Sequence, residues 1–160
     1  MRVKTILVPL DGSILAESAL APAVDLAREH GATLVLLRAA EAHTRPMADP
    51  IEAQVQTVRG AEDYLAGLRG RVTQAGIAGV ETSVWYGPPA EAIVEAARFR
   101  GADLIVMSSH GRTGLGRLVL GSVAETVLRA TRVPILLIRP GDAPIDTPFM
   151  PLTAKEIAHV

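Results

Sequence analysis

The chain has no cysteine, few aromatic residues, no surplus of either charge and no long apolar run, and each shortage removes a class of function. Without cysteine there is no disulfide, no thiolate nucleophile and no zinc knuckle. Sixteen basic against seventeen acidic side chains leave a formal charge of −1, where a nucleic-acid binder shows a clear basic excess or stripe. The longest pure aliphatic runs, such as Leu104–Met107 and Ile135–Ile138, fall far short of the roughly 18 residues a membrane span needs. The N-terminus enters Val3–Leu10 directly, without a signal-peptide pattern. The expectation is a soluble, cytoplasmic domain that engages neither nucleic acid nor membrane.

What is present is aliphatic. Hydrophobic residues make up 49% of the 160 residues and aromatics only 3%, so the core is expected to consist of Val, Leu, Ile and Ala. A chain of this length buries roughly 70% of its unfolded surface, enough for one core. Short β-branched runs alternate with segments of helical period. Strands are expected at Val3–Val8, Thr33–Ala40, Val80–Tyr86, Asp103–Ser108 and Val133–Arg139. The segment from Ser13 to His30 reads as a helix stopped by Gly31, with a bend or irregular start at Pro22. Ile51, Val55, Val58, Leu65, Leu68 and Val72 form the stripe of a second helix, expected to lie on a sheet. Further helices are expected over 90–100 and from Gly121 to Thr131. Residues 41–50 read as a connection and 141–160 as a proline-rich tail. Strands alternating with helices, and apolar throughout, imply right-handed crossovers and a parallel sheet covered on both faces.

In such sheets ligands bind at the carboxyl ends of the strands, where strand order reverses. That singles out the loops at Pro9–Ser13, Arg38–Ala40 and Met107–Gly121. The third lacks the Gly-Lys-Ser/Thr of a Walker loop, and Gly114-Leu-Gly116 does not complete a dinucleotide fingerprint. Its glycines, Gly111, Gly114 and Gly116, nevertheless let backbone amides turn toward a ligand. Gly121-Ser122 stands where a helix begins, and Arg112 and Arg117 add positive charge, so the stretch reads as a phosphate site. Two readings of Ser122 stand side by side, because Ser122-Val-Ala-Glu125 also matches a capping box. Asp11 is either a turn residue, with Ser13 as helix cap, or a hydrogen-bond acceptor in the cleft. No residue is assigned a catalytic or metal-ligating role; His110 has no paired histidine or acidic cluster beside it in sequence.

These blocks resemble the universal stress protein family over about residues 2–140. The resemblance is carried by Ile6-Leu-Val-Pro-Leu-Asp-Gly-Ser13, Gly101-Ala-Asp-Leu-Ile-Val-Met-Ser-Ser-His-Gly111, Gly121-Ser-Val-Ala-Glu-Thr-Val127 and Val133-Pro-Ile-Leu-Leu-Ile138. It implies a single Rossmann-like domain over 1–140, similar to the adenine nucleotide α-hydrolase fold, with an open parallel sheet ordered 3-2-1-4-5 and helices on both faces. Its ATP-binding branch carries Gly, two residues, Gly, nine residues, Gly-Ser/Thr; here Ser108 replaces the first glycine, followed by Gly111 and Gly121-Ser122. By position, the resemblance places Pro9, Leu10 and Asp11, with Gly12 and Ser13 in the turn, on the base and ribose side. Ala39 would meet adenine through its backbone, and Met107 and Ser108 would flank the ribose. Gly111, Arg112, Gly114, Gly121, Ser122, Val123 and Ala124 would surround the phosphates, with His110 in the same candidate set. Arg38 stands where many relatives have histidine. The implied protein is a nucleotide-responsive stress-response module binding ATP, ADP or AMP with magnesium, acting on an unknown protein partner. A homodimer would form through Val133–Arg139, with the 141–160 tail packing on the other copy or fraying. The alternatives are a slow ATPase or phosphotransfer enzyme, and a dimeric interaction protein independent of nucleotide.

Overall fold

The computed structural model describes residues 2–41, 49–109 and 120–139. Strand β1, Thr5–Leu10, runs through the centre of the molecule with every residue after Thr5 buried. Two short pieces follow where one helix is expected: α1, Ile14–Glu17, and α2, Leu20–His30. The cause lies in Pro22, whose ring excludes a helical approach by the carbonyl of Ser18, four residues earlier. The chain tightens there instead, Ala19 N–H donating to Ala16 O at 3.2 Å and the Ser18 hydroxyl to Leu15 O at 2.7 Å. Gly31, at φ 63°, ends α2 in the left-handed conformation that glycine adopts most readily.

Strand β2, Thr33–Ala40, leads to α3, Pro50–Gln74, capped by Asp49, whose carboxylate accepts from Ile51 N at 2.8 Å. Ala61, Leu65, Leu68 and Val72 are the buried positions of α3. The expected stripe begins ten residues earlier, yet Ile51 is 74% exposed. Length explains the difference. A helix of 25 residues spans about 37 Å, while the eight residues of β2 span about 26 Å, so the first turns of α3 extend beyond the sheet. Strand β3 is Val80–Tyr86, α4 is Pro89–Phe99, β4 is Leu104–Ser108, α5 is Ser122–Ala130 and β5 is Ile135–Ile138. β5 is shorter than expected because Pro134 has no N–H to place in the ladder.

All the pairings are parallel, and the order is β3-β2-β1-β4-β5. Alternate residues of the central strands feed two cores. Ile6, Val8, Leu10, Leu34, Leu36 and Val106 meet α1, α2 and α3. Leu7, Val35, Leu37, Ile105 and Met107 meet α4 and α5. Both faces are therefore covered, giving the Rossmann-like arrangement. The chain builds outward from β1 through β2 to β3, then returns to place β4 on the other side of β1. That reversal opens a crevice at the carboxyl ends of β1 and β4. The opposite ends are tied by Asp103, whose Oδ2 accepts from the backbone amides of Lys4 at 2.8 Å and Thr5 at 3.0 Å. Among the described residues no helix is long and apolar enough to cross a membrane.

Two outcomes follow for stability. Leu36 is fully buried, so Leu36→Ala is expected to cost about 2–5 kcal/mol in denaturant titration. The amides of Lys4 and Thr5 hold the Asp103 carboxyl below its usual pKa of 3.8. Its stabilisation is thus present above that value and lost as pH falls through the depressed one. Asp103→Ala is expected to lower the melting temperature at about pH 7, with the gap to wild type closing as pH falls below 3.8 and through the depressed value.

Candidate functional site

The crevice is a cleft of about 430 Å³, within the usual range for small-molecule sites. Pro9, Leu10 and Asp11 from the end of β1 line it, together with Ala39 at the end of β2 and Met107 and Ser108 at the end of β4. Gly121, Ser122, Val123 and Ala124 at the start of α5 form the wall beyond β4. Ten candidates from four separated segments are thereby brought to one place. Gly12 and Ser13 stand behind it and shape the turn. Gly12 has φ 84°, and the Ser13 hydroxyl accepts from Ala16 N at 3.1 Å as the cap of α1. Asp11 joins that turn as well, its Oδ1 accepting from Ser13 N–H at 2.8 Å while the residue lines the cleft. His110, Gly111, Arg112 and Gly114, with Gly116 and Arg117, lie outside the described residues.

The start of α5 differs from a capping box. Gly121, at φ −60° and ψ 146°, is the N-cap, no side chain caps the helix, and Ser122 is its first helical residue. Glu125 sits a position too far along to reach back, and it pairs with Arg129 at 2.9 Å. The first intrahelical bond is Glu125 N–H to Gly121 O at 2.9 Å, so the amides of Ser122, Val123 and Ala124 have no carbonyl within the helix. These donors and the positive end of the helix dipole lie at the cleft, an arrangement suited to an anion. Gly121 N–H donates to Ser109 O at 2.9 Å and Ser109 N–H to Ile138 O at 2.8 Å, which ties the start of α5 to the ends of β4 and β5.

Arg38, Ala40 and Ser109, which lie in loops already singled out, also line it, as do Glu41, Ala16, Thr57, Pro89 and Ile93, to which no signal in the sequence pointed. Glu41 directly follows one of those loops. The helix contributions depend on how far each helix overhangs the sheet, which periodicity does not report. Among the described residues Arg38 is the one cation in the lining, its guanidinium 4.8 Å over the ring of Tyr64. The Tyr64 hydroxyl donates to Glu17 Oε1 at 2.9 Å, and Arg71 donates to Glu17 Oε2 at 2.8 Å. Burial, and then the bond to Glu17, push the Tyr64 pKa well above its ordinary value, so the ring stays neutral. Among the described residues no aromatic ring lines the cleft. A planar ligand there would rest on aliphatic and backbone surfaces.

Among known proteins, a putative universal stress protein of Staphylococcus saprophyticus is 32% identical over 157 residues, covering 96% of this chain and 92% of the relative. The universal stress protein UspA from Lactobacillus plantarum superposes with a TM-score of 0.76 at 28% identity, over 87% of this chain and 99% of that one. A member of the same family from Burkholderia pseudomallei gives 0.70 at 32% identity, over 86% and 96%. The fold also recurs in a universal stress protein in complex with cAMP, at 24% identity and TM-score 0.68, over 86% of this chain and 98% of that one. It recurs again in the Archaeoglobus fulgidus protein in complex with dAMP, at 21% and 0.57, over 86% and 98%. The profile of the universal stress protein family matches residues 2–139, and the chain belongs to that family.

Proposed function

We propose that the cleft binds an adenine nucleotide, with ATP the leading ligand, and that the protein acts as a nucleotide-responsive module. The observation that carries this reading is the start of α5, whose backbone amides without helical acceptors line the same cleft as the ends of β1, β2 and β4. The phosphates would lie on the amides of Ser122, Val123 and Ala124, the ribose beside Met107 and Ser108, and the base against Pro9, Leu10 and the backbone of Ala39. Ser108, which replaces the first glycine of the ATP-binding pattern, keeps its backbone amide. The cAMP and dAMP complexes of the fold neighbours support the coarser point, that this architecture accommodates adenine nucleotides in those proteins. Among the described residues no group of three metal-type ligands assembles. Magnesium belongs to this reading as a companion of the phosphates, neutralising charge when bound.

A homodimer joined along β5 belongs to the same proposal. β5 is an edge strand paired only with β4. The bonds from Ile105 N to Pro134 O and from Ser109 N to Ile138 O set the ladder's two-residue alternation. That alternation points the amide and carbonyl of Ile135 and Leu137 away from β4, toward a second copy. Leu136 and Leu128, 37% and 50% exposed, would add apolar surface.

Calorimetry with ATP, ADP and AMP tests the ligand. Absence of binding at millimolar nucleotide, with none copurifying, overturns the reading. Ser122→Pro gives the positional test, because proline is well accommodated at a first helical position yet removes one amide donor. It is expected to weaken ATP binding about tenfold or more while the fold persists, and Ser122→Ala, which keeps the amide, to weaken it less. Leu136→Arg is expected to convert the dimer to a monomer in light scattering.

A further inference from the structure

The fork of Arg38 lies on the β2 side of β1, while the α5 amides lie across β1 beyond β4. A β-carbon placed on Gly12 would come within 3.2 and 3.3 Å of its Nη2 and Nη1, so the terminal nitrogens stand directly over the β1–α1 turn. Among the described residues the guanidinium makes no hydrogen bond or ion pair, and it stacks on the face of Tyr64. Stacking occupies the flat face and leaves the N–H edge available. The Tyr64–Glu17–Arg71 chain holds the ring from behind, which restricts the arginine before any ligand arrives. A planar, pre-oriented fork of this kind matches the oxygens of a phosphoryl group.

Resting on the adenine-nucleotide reading, the location decides which phosphoryl group. The 5′-phosphates belong to α5, whereas the β1–α1 turn, over which the fork stands, lies on the base and ribose side of the cleft. In dinucleotide-binding doubly wound sheets an arginine in the corresponding region accommodates a phosphate carried on the ribose itself. We propose that Arg38 is a specificity-determining residue, and that the cleft selects adenine nucleotides bearing a 2′- or 3′-phosphate on the ribose in addition to the 5′-phosphate. Asp11 and Glu41 also line the cleft and carry negative charge, so an additional phosphate on that side requires the cation.

Calorimetry on the full chain with AMP, adenosine 3′,5′-bisphosphate and adenosine 2′,5′-bisphosphate tests this. One bisphosphate is expected to bind wild type about tenfold more tightly than AMP, the preferred isomer naming the ribose position. Arg38→Met is expected to bring that ratio close to one. Arg38→Lys, which keeps the charge and loses the fork, is expected to give an intermediate ratio, and it decides the matter if the methionine variant does not fold. Equal affinity of wild type for AMP and both bisphosphates, or a preference that survives in Arg38→Met, overturns the inference and leaves adenine-nucleotide binding intact. Failure of wild type to bind any of the nucleotides overturns the underlying functional reading instead.

Discussion

Burial of both faces of the parallel sheet is the constraint on which the rest of the molecule depends. A parallel strand can be followed by another in the same sheet only through a crossover, and here each crossover carries a helix that covers one face. The first two crossovers cover one side with α1, α2 and α3, and the next two cover the other with α4 and α5. Because the chain starts at β1 and returns past it to β4, the crossovers beside these strands diverge to opposite faces. Among the described residues no helix fills the space between them at the carboxyl ends, and the cleft is what the covering leaves open.

The cleft is therefore framed by strand ends and a helix start. Strand ends and a helix start present amides and carbonyls, and Ala39, Gly121 and Ala124 offer little side chain beyond them. Charge enters through a few positions, Asp11, Arg38 and Glu41. Arg38 depends on side chains from two helices, since Tyr64 and Arg71 come from α3 and Glu17 from α1. That chain joins the overhanging helix to the short one after β1, and so connects the cation's position to packing well outside the cleft.

Much of this was legible from the residues, for physical reasons that differ by element. The strands were legible because burial on both faces demands runs such as Ile6-Leu-Val and Leu34-Val-Leu-Leu, which few other structures tolerate. The strand order came from family resemblance, since periodicity carries no information about neighbours. The break at Ser18 was only half visible: Pro22 marked the disturbance, but its effect falls on the carbonyl one turn earlier. Ser122-Val-Ala-Glu125 matched a capping pattern, yet a one-residue shift in where α5 begins puts Gly121 at the cap and leaves Glu125 facing Arg129. Arg38 was visible as a departure from relatives without a meaning, because its partners Tyr64 and Glu17 are distant in sequence and meet it only when α3 packs.

Gly12 joins these threads. Its positive φ lets the chain leave β1 sharply enough for Ser13 to cap α1, and its bare α-carbon leaves room for the nitrogens of Arg38. The residue contributes no atom to the cleft lining, yet any side chain there would both strain the turn and push the guanidinium aside. Substitution at position 38 and freedom at position 12 are consequently not independent. A smaller residue at 38 would leave the turn as the sole demand for glycine, whereas arginine makes the demand twofold.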